Sequence, residues 1–143
     1  FFLSYRKTQL KKGQFIKSIS IPLLPKSFFF SRKISKRVDD DISSLLIAFS
    51  AETKGRLIKK IRIAFGGMSD RPKRALKCER ILLNSPLSDK IIDRAKASIS
   101  EEFSPISDVR ASKKYRTMVA MNLLEKAMIE MKQKQMVETN VRN

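Results

Sequence analysis

The side chains that this 143-residue chain lacks narrow the chemistry open to it. It contains no His and no Trp, and Cys78 is its one cysteine. Within this chain, a Ser-His or Cys-His catalytic pair, imidazole acid–base chemistry and a disulfide framework are therefore excluded. Zinc, non-haem iron or copper would need carboxylates almost alone as ligands. What the chain offers instead is cations, with 31 Lys+Arg against 14 Asp+Glu and a net charge of +17.

Two short patterns invite a ligand assignment, and both have plainer explanations. The adjacent carboxylates of Asp39, Asp40 and Asp41 are followed by no further oxygen ligands at loop spacing, which disfavours calcium or magnesium. Gly66-Gly67 follows a strand pattern without the spacing of a phosphate-binding loop. We interpret the glycine pair as a tight turn from a strand into a helix.

The excess of positive charge raises the question of nucleic acid. Cations attract phosphate, but the basic runs, such as Lys11-Lys12 and Lys59-Lys60, are short and are not interleaved with aromatic residues. Nucleic-acid binding is therefore an alternative and not the main prediction. No apolar run approaches the ~18 residues of a membrane span. The sequence predicts a cytoplasmic protein with no membrane partner, and its start at Phe1 without Met or a leader suggests a fragment of something longer.

Hydrophobic periodicity predicts a small antiparallel sheet behind an extended arm. Residues 1–41 are predicted to be extended and irregular. An apolar strand over residues 42–49 and an alternating strand over residues 57–65 follow, and the turn between them uses Gly55, which tolerates a positive φ. One face of each strand is expected to be covered.

Three helical patterns come after the sheet. The first is predicted to begin near Pro72, with Ser69 or Asp70 as its cap, and the second begins at Ser88. The third covers residues 112–131, with Tyr115, Val119, Leu123 and Ala127 in line, and the polar tail after it is expected to fray. The predicted fold class is α+β: a small antiparallel sheet with about three helices packed on one face, preceded by an extended N-terminal arm.

Four local strings, in this order, are more specific than the fold class. They are FFLSYRKT at 1–8, KISKRVDDDI at 33–42, AFGGMSDRPKRA at 64–75, and PISDVRAS at 105–112 with the Tyr115-Arg116 and Asn122-Leu123-Leu124 that follow. Together they resemble the C-terminal part of the FAD-binding subunit or domain of xanthine dehydrogenase, in the molybdenum hydroxylase family, and the CO dehydrogenase flavoprotein C-terminal domain. The resemblance implies that residues 1–41 end an incomplete FAD-binding domain, 42–131 form the C-terminal α+β domain, and 132–143 are a polar tail.

The resemblance also implies which residues contact the cofactor. Ile16 would pack on the isoalloxazine with Phe15 beside it, although a core role for Ile16 is equally open. Lys33 matches a family lysine that touches FAD, where a fixed cation would stabilise the negative charge gained on reduction. Without the resemblance, Lys33 would be interpreted as a solvated surface lysine. Asp40 is the member of the carboxylate run that we expect on the flavin side.

The function that the resemblance implies is a share in a larger oxidoreductase. In such an enzyme a purine is oxidised at a molybdenum cofactor, and electrons pass through iron-sulfur clusters to FAD and then to NAD. This chain would supply one wall of a partial FAD site and would dock the iron-sulfur and molybdenum-binding subunits or domains, being inactive alone. The alternatives are a basic nucleic-acid-binding module and a non-functional relic of a truncated gene.

Overall fold

An antiparallel sheet of four strands forms the framework of the structure, a computed structural model that describes residues 1–23, 27–37 and 41–140, with side chains to residue 136. The sheet order is β3-β4-β5-β6, and a separate hairpin precedes it. The strands are β1 (Phe2–Ser4), β2 (Lys7–Thr8), β3 (Phe28–Ile34), β4 (Leu45–Lys54), β5 (Leu57–Gly66) and β6 (Lys73–Arg74). Each strand pairs with its neighbour in sequence, so the sheet is built from short connections.

Alternation along β4 and β5 gives the sheet one covered face. The buried side chains on these strands are Leu45, Ile47, Phe49, Ala51, Ile58, Ile61, Ile63 and Phe65. The period-two pattern is broken once, because a bulge opposite Glu52 and Thr53 places an extra residue in β5. That extra residue lets both Ile58 and Ile61 point into the core.

Three helices cover that face: α1 (Leu76–Leu82), α2 (Asp89–Glu102) and α3 (Lys113–Asn140). Helix α1 lies against β5 and α2, and α3 lies against α2 and β4. At the end of α2 the ring of Phe103 meets Phe65 edge-to-face, with centroids 5.5 Å apart. An edge-to-face aromatic pair adds about 0.5–1.5 kcal/mol to the area that it buries.

The structure confirms the predicted fold class and several of its details. Ile61, Ile63 and Phe65 share the buried face of β5 as the alternation predicted, Gly55 turns with φ +58°, and α2 begins after Ser88. The predicted arm contains more order than expected, because it includes the β1–β2 hairpin and strand β3, whose Phe30 is buried in the core. The division of the chain at residues 41 and 131 stays a prediction.

Three predictions about the helices are wrong. Residues 73–74 form β6, so α1 begins at Leu76 and not near Pro72, and neither Ser69 nor Asp70 caps it. Helix α3 continues to Asn140 instead of ending near residue 131. The predicted stripe on α3 is confirmed at Leu123 and Ala127, which are buried, but its first member, Tyr115, is exposed and Arg116 is buried beside it. Hydrophobic spacing alone did not locate the charged residue on the covered side.

The first turn of α1 is capped from the neighbouring helix. The carboxylate of Glu102, the last residue of α2, accepts hydrogen bonds from the backbone N–H groups of Leu76 and Lys77, both at 2.8 Å. We expect Glu102→Ala to lower the free energy of unfolding by about 1–2 kcal/mol, because it removes a charged cap from a helix N-terminus. Urea denaturation measures this loss.

The adjacent residue provides a matched control for the cap. Glu101 makes only an exposed ion pair with Lys77, at 3.7 Å, so Glu101→Ala should cost about 0.5 kcal/mol or less. Equal losses in the two variants would contradict the cap assigned to Glu102.

Candidate functional site

Lys33 lies close to the end of β3, on the sheet face that the helices leave open. It pairs across the sheet with Leu46 of β4, which pairs in turn with Gly66 of β5. The next row on this face carries only small side chains, with Ser31, Ala48 and Ala64 in register. The side chain of Lys33 is exposed at the edge of this shallow surface. A cation in this position is accessible to a ligand lying against the end of the sheet.

Ser44 connects the end of β3 to the start of β4. Its N–H donates to the carbonyl of Ile34 at 2.7 Å, and its hydroxyl donates to the carbonyl of Arg110 at 3.3 Å. Its own carbonyl accepts a hydrogen bond from the guanidinium of Arg116. Ile34, the residue after Lys33, is therefore hydrogen-bonded to Ser44, and Ser44 is hydrogen-bonded to Arg116 of α3.

The Arg116 guanidinium is buried at this junction, with 4% of its side chain exposed. It donates to Asp108 Oδ1 at 2.7 Å and to the carbonyl of Gly67 at 3.1 Å, besides its bond to Ser44. Partial burial acts to raise the pKa of Asp108, but the N–H groups of Ala111 and Arg110 and the Arg116 guanidinium outweigh it, and the pKa falls to about 2. Asp108 is thus a carboxylate at neutral pH and balances the buried cation.

The described part of the carboxylate run is already paired. Asp41 accepts a hydrogen bond from the backbone N–H of Arg37 at 3.2 Å and lies 3.5 Å from its guanidinium. The Arg37 side chain is the main cause of the lowered pKa of Asp41, which partial burial opposes. Asp40, the expected flavin-side member, lies outside the described residues, and so does Asp39. The assignment of Asp40 stays a prediction.

Phe15 and Ile16 lie on an extended stretch of the N-terminal arm. Phe15 is 80% exposed and Ile16 is 50% exposed, so the core role considered for Ile16 is wrong for the described chain. Among the described residues, no hydrogen bond, ion pair or ring contact joins either side chain to Lys33. The structure thus leaves Phe15 largely exposed and Ile16 half exposed, with no such contact to the cation.

Three clefts of the described structure lie away from these residues. One, of about 760 Å³, opens between α2 and the start of α3 beside Lys96, Lys113 and Met118. Two others border the β4–β5 hairpin and the outer side of α1. Phe15, Ile16 and Lys33 line none of the three.

The described parts of the chain contain neither a metal-binding cluster nor an accessible thiol. No group of three or more Cys, Asp or Glu side chains in residues 1–23, 27–37 and 41–136 is arranged to hold a metal ion. Cys78 is buried, and the burial raises the pKa of its thiol to about 12. The thiolate is therefore not available at neutral pH. No described helix combines the length and apolar character needed to cross a bilayer.

The junction around Arg116 was only partly predictable. The sequence places the pairs Asp108-Arg110 and Tyr115-Arg116 near the start of the last helix, which suggests a polar cluster there, but not the bond from Arg116 to Ser44, 72 residues away. One signal was available: Arg116 precedes the buried Ala120 and Leu124 at i+4 and i+8. A charged residue in line with an apolar stripe indicates a buried polar contact.

Comparison with known proteins agrees with this architecture. The model of the CO dehydrogenase flavoprotein C-terminal domain family matches residues 30–131. The glyceraldehyde dehydrogenase medium chain of Sulfolobus acidocaldarius is 30% identical over 130 residues, covering 91% of this chain and 46% of that protein. The xanthine dehydrogenase FAD-binding subunit of Escherichia coli is 25% identical over 126 residues, covering 87% and 43%.

A solved structure has the same fold at lower identity. Carbon monoxide dehydrogenase from Hydrogenophaga pseudoflava superposes with a TM-score of 0.69 at 20% identity, over 74% of this chain and 37% of the matched chain. This chain therefore spans less than half the length of these relatives.

Proposed function

Because this chain belongs to the CO dehydrogenase flavoprotein C-terminal domain family, part of the flavin subunit of molybdenum hydroxylases, we propose that it forms one wall of an FAD site. The whole enzyme would be a cytoplasmic xanthine dehydrogenase-like oxidoreductase that passes electrons from iron-sulfur clusters to NAD. The family match over residues 30–131 carries the proposal. The chain would be inactive without the other subunits or domains.

The residues present fit the ring end of FAD and not its phosphate end. An exposed ammonium on Lys33 and the uncovered Phe15 and Ile16 are the side chains that a flat ring with polar carbonyls would meet. The glycine pair offers no phosphate cradle, because a Cβ at Gly67 would lie 2.5 Å from the Ser44 carbonyl oxygen. The space beside Gly67 is thus filled by the protein itself, which supports a turn and not a phosphate loop, although the turn leads into β6 and not directly into a helix. The pyrophosphate would then be left to other polypeptide.

When bound, FAD would supply the conversion between one-electron and two-electron steps. Lys33 would place its ammonium at the pyrimidine edge of the ring and favour added negative charge there. Ile16 and Phe15 would cover the ring and exclude water, and Asp40 would face it from the loop after Lys33. Lys33 and Phe15 are exposed and Ile16 is half exposed, which leaves these three side chains accessible to a ligand.

The first test is Lys33→Met in the native flavoprotein. Removing a charged hydrogen bond worth about 1.5–3 kcal/mol to the reduced form should lower the two-electron flavin potential by about 30–60 mV. A spectroelectrochemical titration measures the shift.

Lys54 provides the control for this test. It is exposed at the far end of β4, about 25 Å along the strand from the row that contains Lys33. Lys54→Met should leave the potential unchanged. Equal potentials in wild type and Lys33→Met would contradict the assignment of Lys33.

The nucleic-acid alternative rests on the net charge of +17 alone. It predicts an affinity whose logarithm falls linearly with the logarithm of the salt concentration, which filter binding measures. The relic alternative predicts that the native chain carries no flavin in any assembly.

A further inference from the structure

The end of β3 is fixed by contacts that come from the other end of the chain. The carbonyl of Ile34, the residue after Lys33, accepts a hydrogen bond from the Ser44 N–H at 2.7 Å. The Ser44 carbonyl would have no donor at this edge of the sheet without Arg116, which reaches it from the first turn of α3. A buried guanidinium that binds two backbone carbonyls and a carboxylate defines one geometry, since its donors form a rigid fork.

A second contact reaches the same strand end from the turn at residues 108–111, which precedes α3. The Lys36 ammonium donates a hydrogen bond to the carbonyl of Val109 at 2.7 Å. The turn that presents this carbonyl is held by Asp108, whose Oδ1 accepts the N–H groups of Arg110 at 2.9 Å and Ala111 at 3.1 Å. Asp108 Oδ1 also accepts a hydrogen bond from the Arg116 guanidinium at 2.7 Å. Both contacts to the end of β3 therefore depend on the Asp108–Arg116 ion pair.

We propose that Arg116 is a positioning residue for Lys33, acting through Ser44 and the turn at residues 108–111 to fix the point on β3 from which the Lys33 ammonium extends. This inference rests on the proposed function, which gives Lys33 its ligand. Arg116 itself lies on the covered side of the sheet, with its guanidinium enclosed by Ser44, Gly67 and Asp108. It is therefore not assigned any contact with the flavin.

The test is Arg116→Lys in the native flavoprotein, because Lys keeps the charge but cannot serve all three acceptors. The amide of Ser44 should exchange its hydrogen about 10 to 100 times faster, the factor that corresponds to losing one hydrogen bond to a charged group. Hydrogen exchange followed by mass spectrometry reads this out without any use of the flavin. The flavin potential should also fall, in the same direction as in Lys33→Met.

A double variant separates positioning from general damage. If Arg116 acts through Lys33, then Lys33→Met combined with Arg116→Lys should have the potential of Lys33→Met alone. Arg94→Lys is the matched control, because Arg94 is exposed on α2 and, within the described residues, makes no hydrogen bond or ion pair with Ser44, Gly67 or Asp108. It should change neither Ser44 exchange nor the potential.

Three results would overturn the inference. Unchanged Ser44 exchange in Arg116→Lys would show that the strand end does not depend on this residue. Faster exchange with an unchanged potential, while Lys33→Met still lowers it, would reject positioning and leave the proposed function intact. A potential that is insensitive to Lys33→Met itself would reject the flavin role of Lys33, and the inference with it.

Discussion

Gly67→Ala is expected to lower the free energy of unfolding by about 3–5 kcal/mol, among the largest losses that a single methyl group can cause. Gly67 has φ +81°, where an L side chain is strained. Its Cβ would also lie 2.5 Å from the Ser44 carbonyl oxygen and 2.9 Å from Arg116 Nη1. Because the nearer of these two atoms belongs to the backbone, the clash can be relieved only if Ser44, at the start of β4, moves away from Gly67. Chemical denaturation with an unchanged m-value measures the loss.

Gly55 separates the backbone strain from the clash. It has φ +58° in the β4–β5 turn, and a Cβ there would meet nothing within 4 Å. Gly55→Ala should therefore cost only the strain, about 1–2 kcal/mol. Similar losses in the two variants would mean that the close approach of Gly67 to Ser44 carries no weight.

The second large effect is expected at Glu79, a carboxylate buried beneath the edge of the sheet. Its Oε1 accepts the backbone N–H of Ile63 at 2.8 Å and the Nε of Arg74 at 3.0 Å. Strand β6 pairs with β5 only at Ala64 and Phe65, so Glu79 replaces the strand that would otherwise bind the Ile63 N–H. Glu79→Ala should cost about 3 kcal/mol, because it leaves a buried donor and a cation without their acceptor.

Two variants distinguish the parts of this effect. Glu79→Gln keeps an oxygen for Ile63 but loses the charge opposite Arg74 and the Oε2 that accepts from its guanidinium, so its loss should be about half as large. Glu130→Ala removes a carboxylate whose one ion pair among the described side chains is with Arg32, at 3.9 Å, and it should cost about 0.5 kcal/mol or less. A Glu79→Ala protein as stable as Glu130→Ala would contradict the role of Glu79 at the sheet edge.

The parts of the fold that sequence predicted are those that follow from regular alternation and spacing. The buried face of β5, the turn at Gly55 and the start of α2 all come from local patterns that burial alone enforces. Strand β3 was missed because its three adjacent phenylalanines, Phe28–Phe30, do not alternate, although the sheet buries only the last of them, Phe30, completely.

The missed helix boundaries have a different cause. Helix α1 takes its cap from Glu102, and Ile63 takes its acceptor from Glu79. Both partners are remote from the group that they satisfy, and only the tertiary structure brings them together. A carboxylate that serves a backbone N–H in this way looks like an ordinary surface residue in the sequence.

For the candidate site, the structure leaves Lys33 exposed, which is compatible with the FAD contact that the resemblance implies and with a solvated surface lysine, so the contact stays a prediction. How Phe15 and Ile16 lie relative to Lys33 depends on the direction of the N-terminal arm, which local sequence patterns do not determine. Their assignments, with that of Asp40, stay predictions that depend on the resemblance.

The contact between Ser44 and Arg116 also bears on the order in which the molecule assembles. The β4–β5 hairpin and the paired helices close short loops and can form early, whereas this contact must bring together residues 72 positions apart. The Lys33 end of the sheet would thus be set only when α3 packs on β3 and β4. The edge proposed for the cofactor would then mature together with the docking of the last helix.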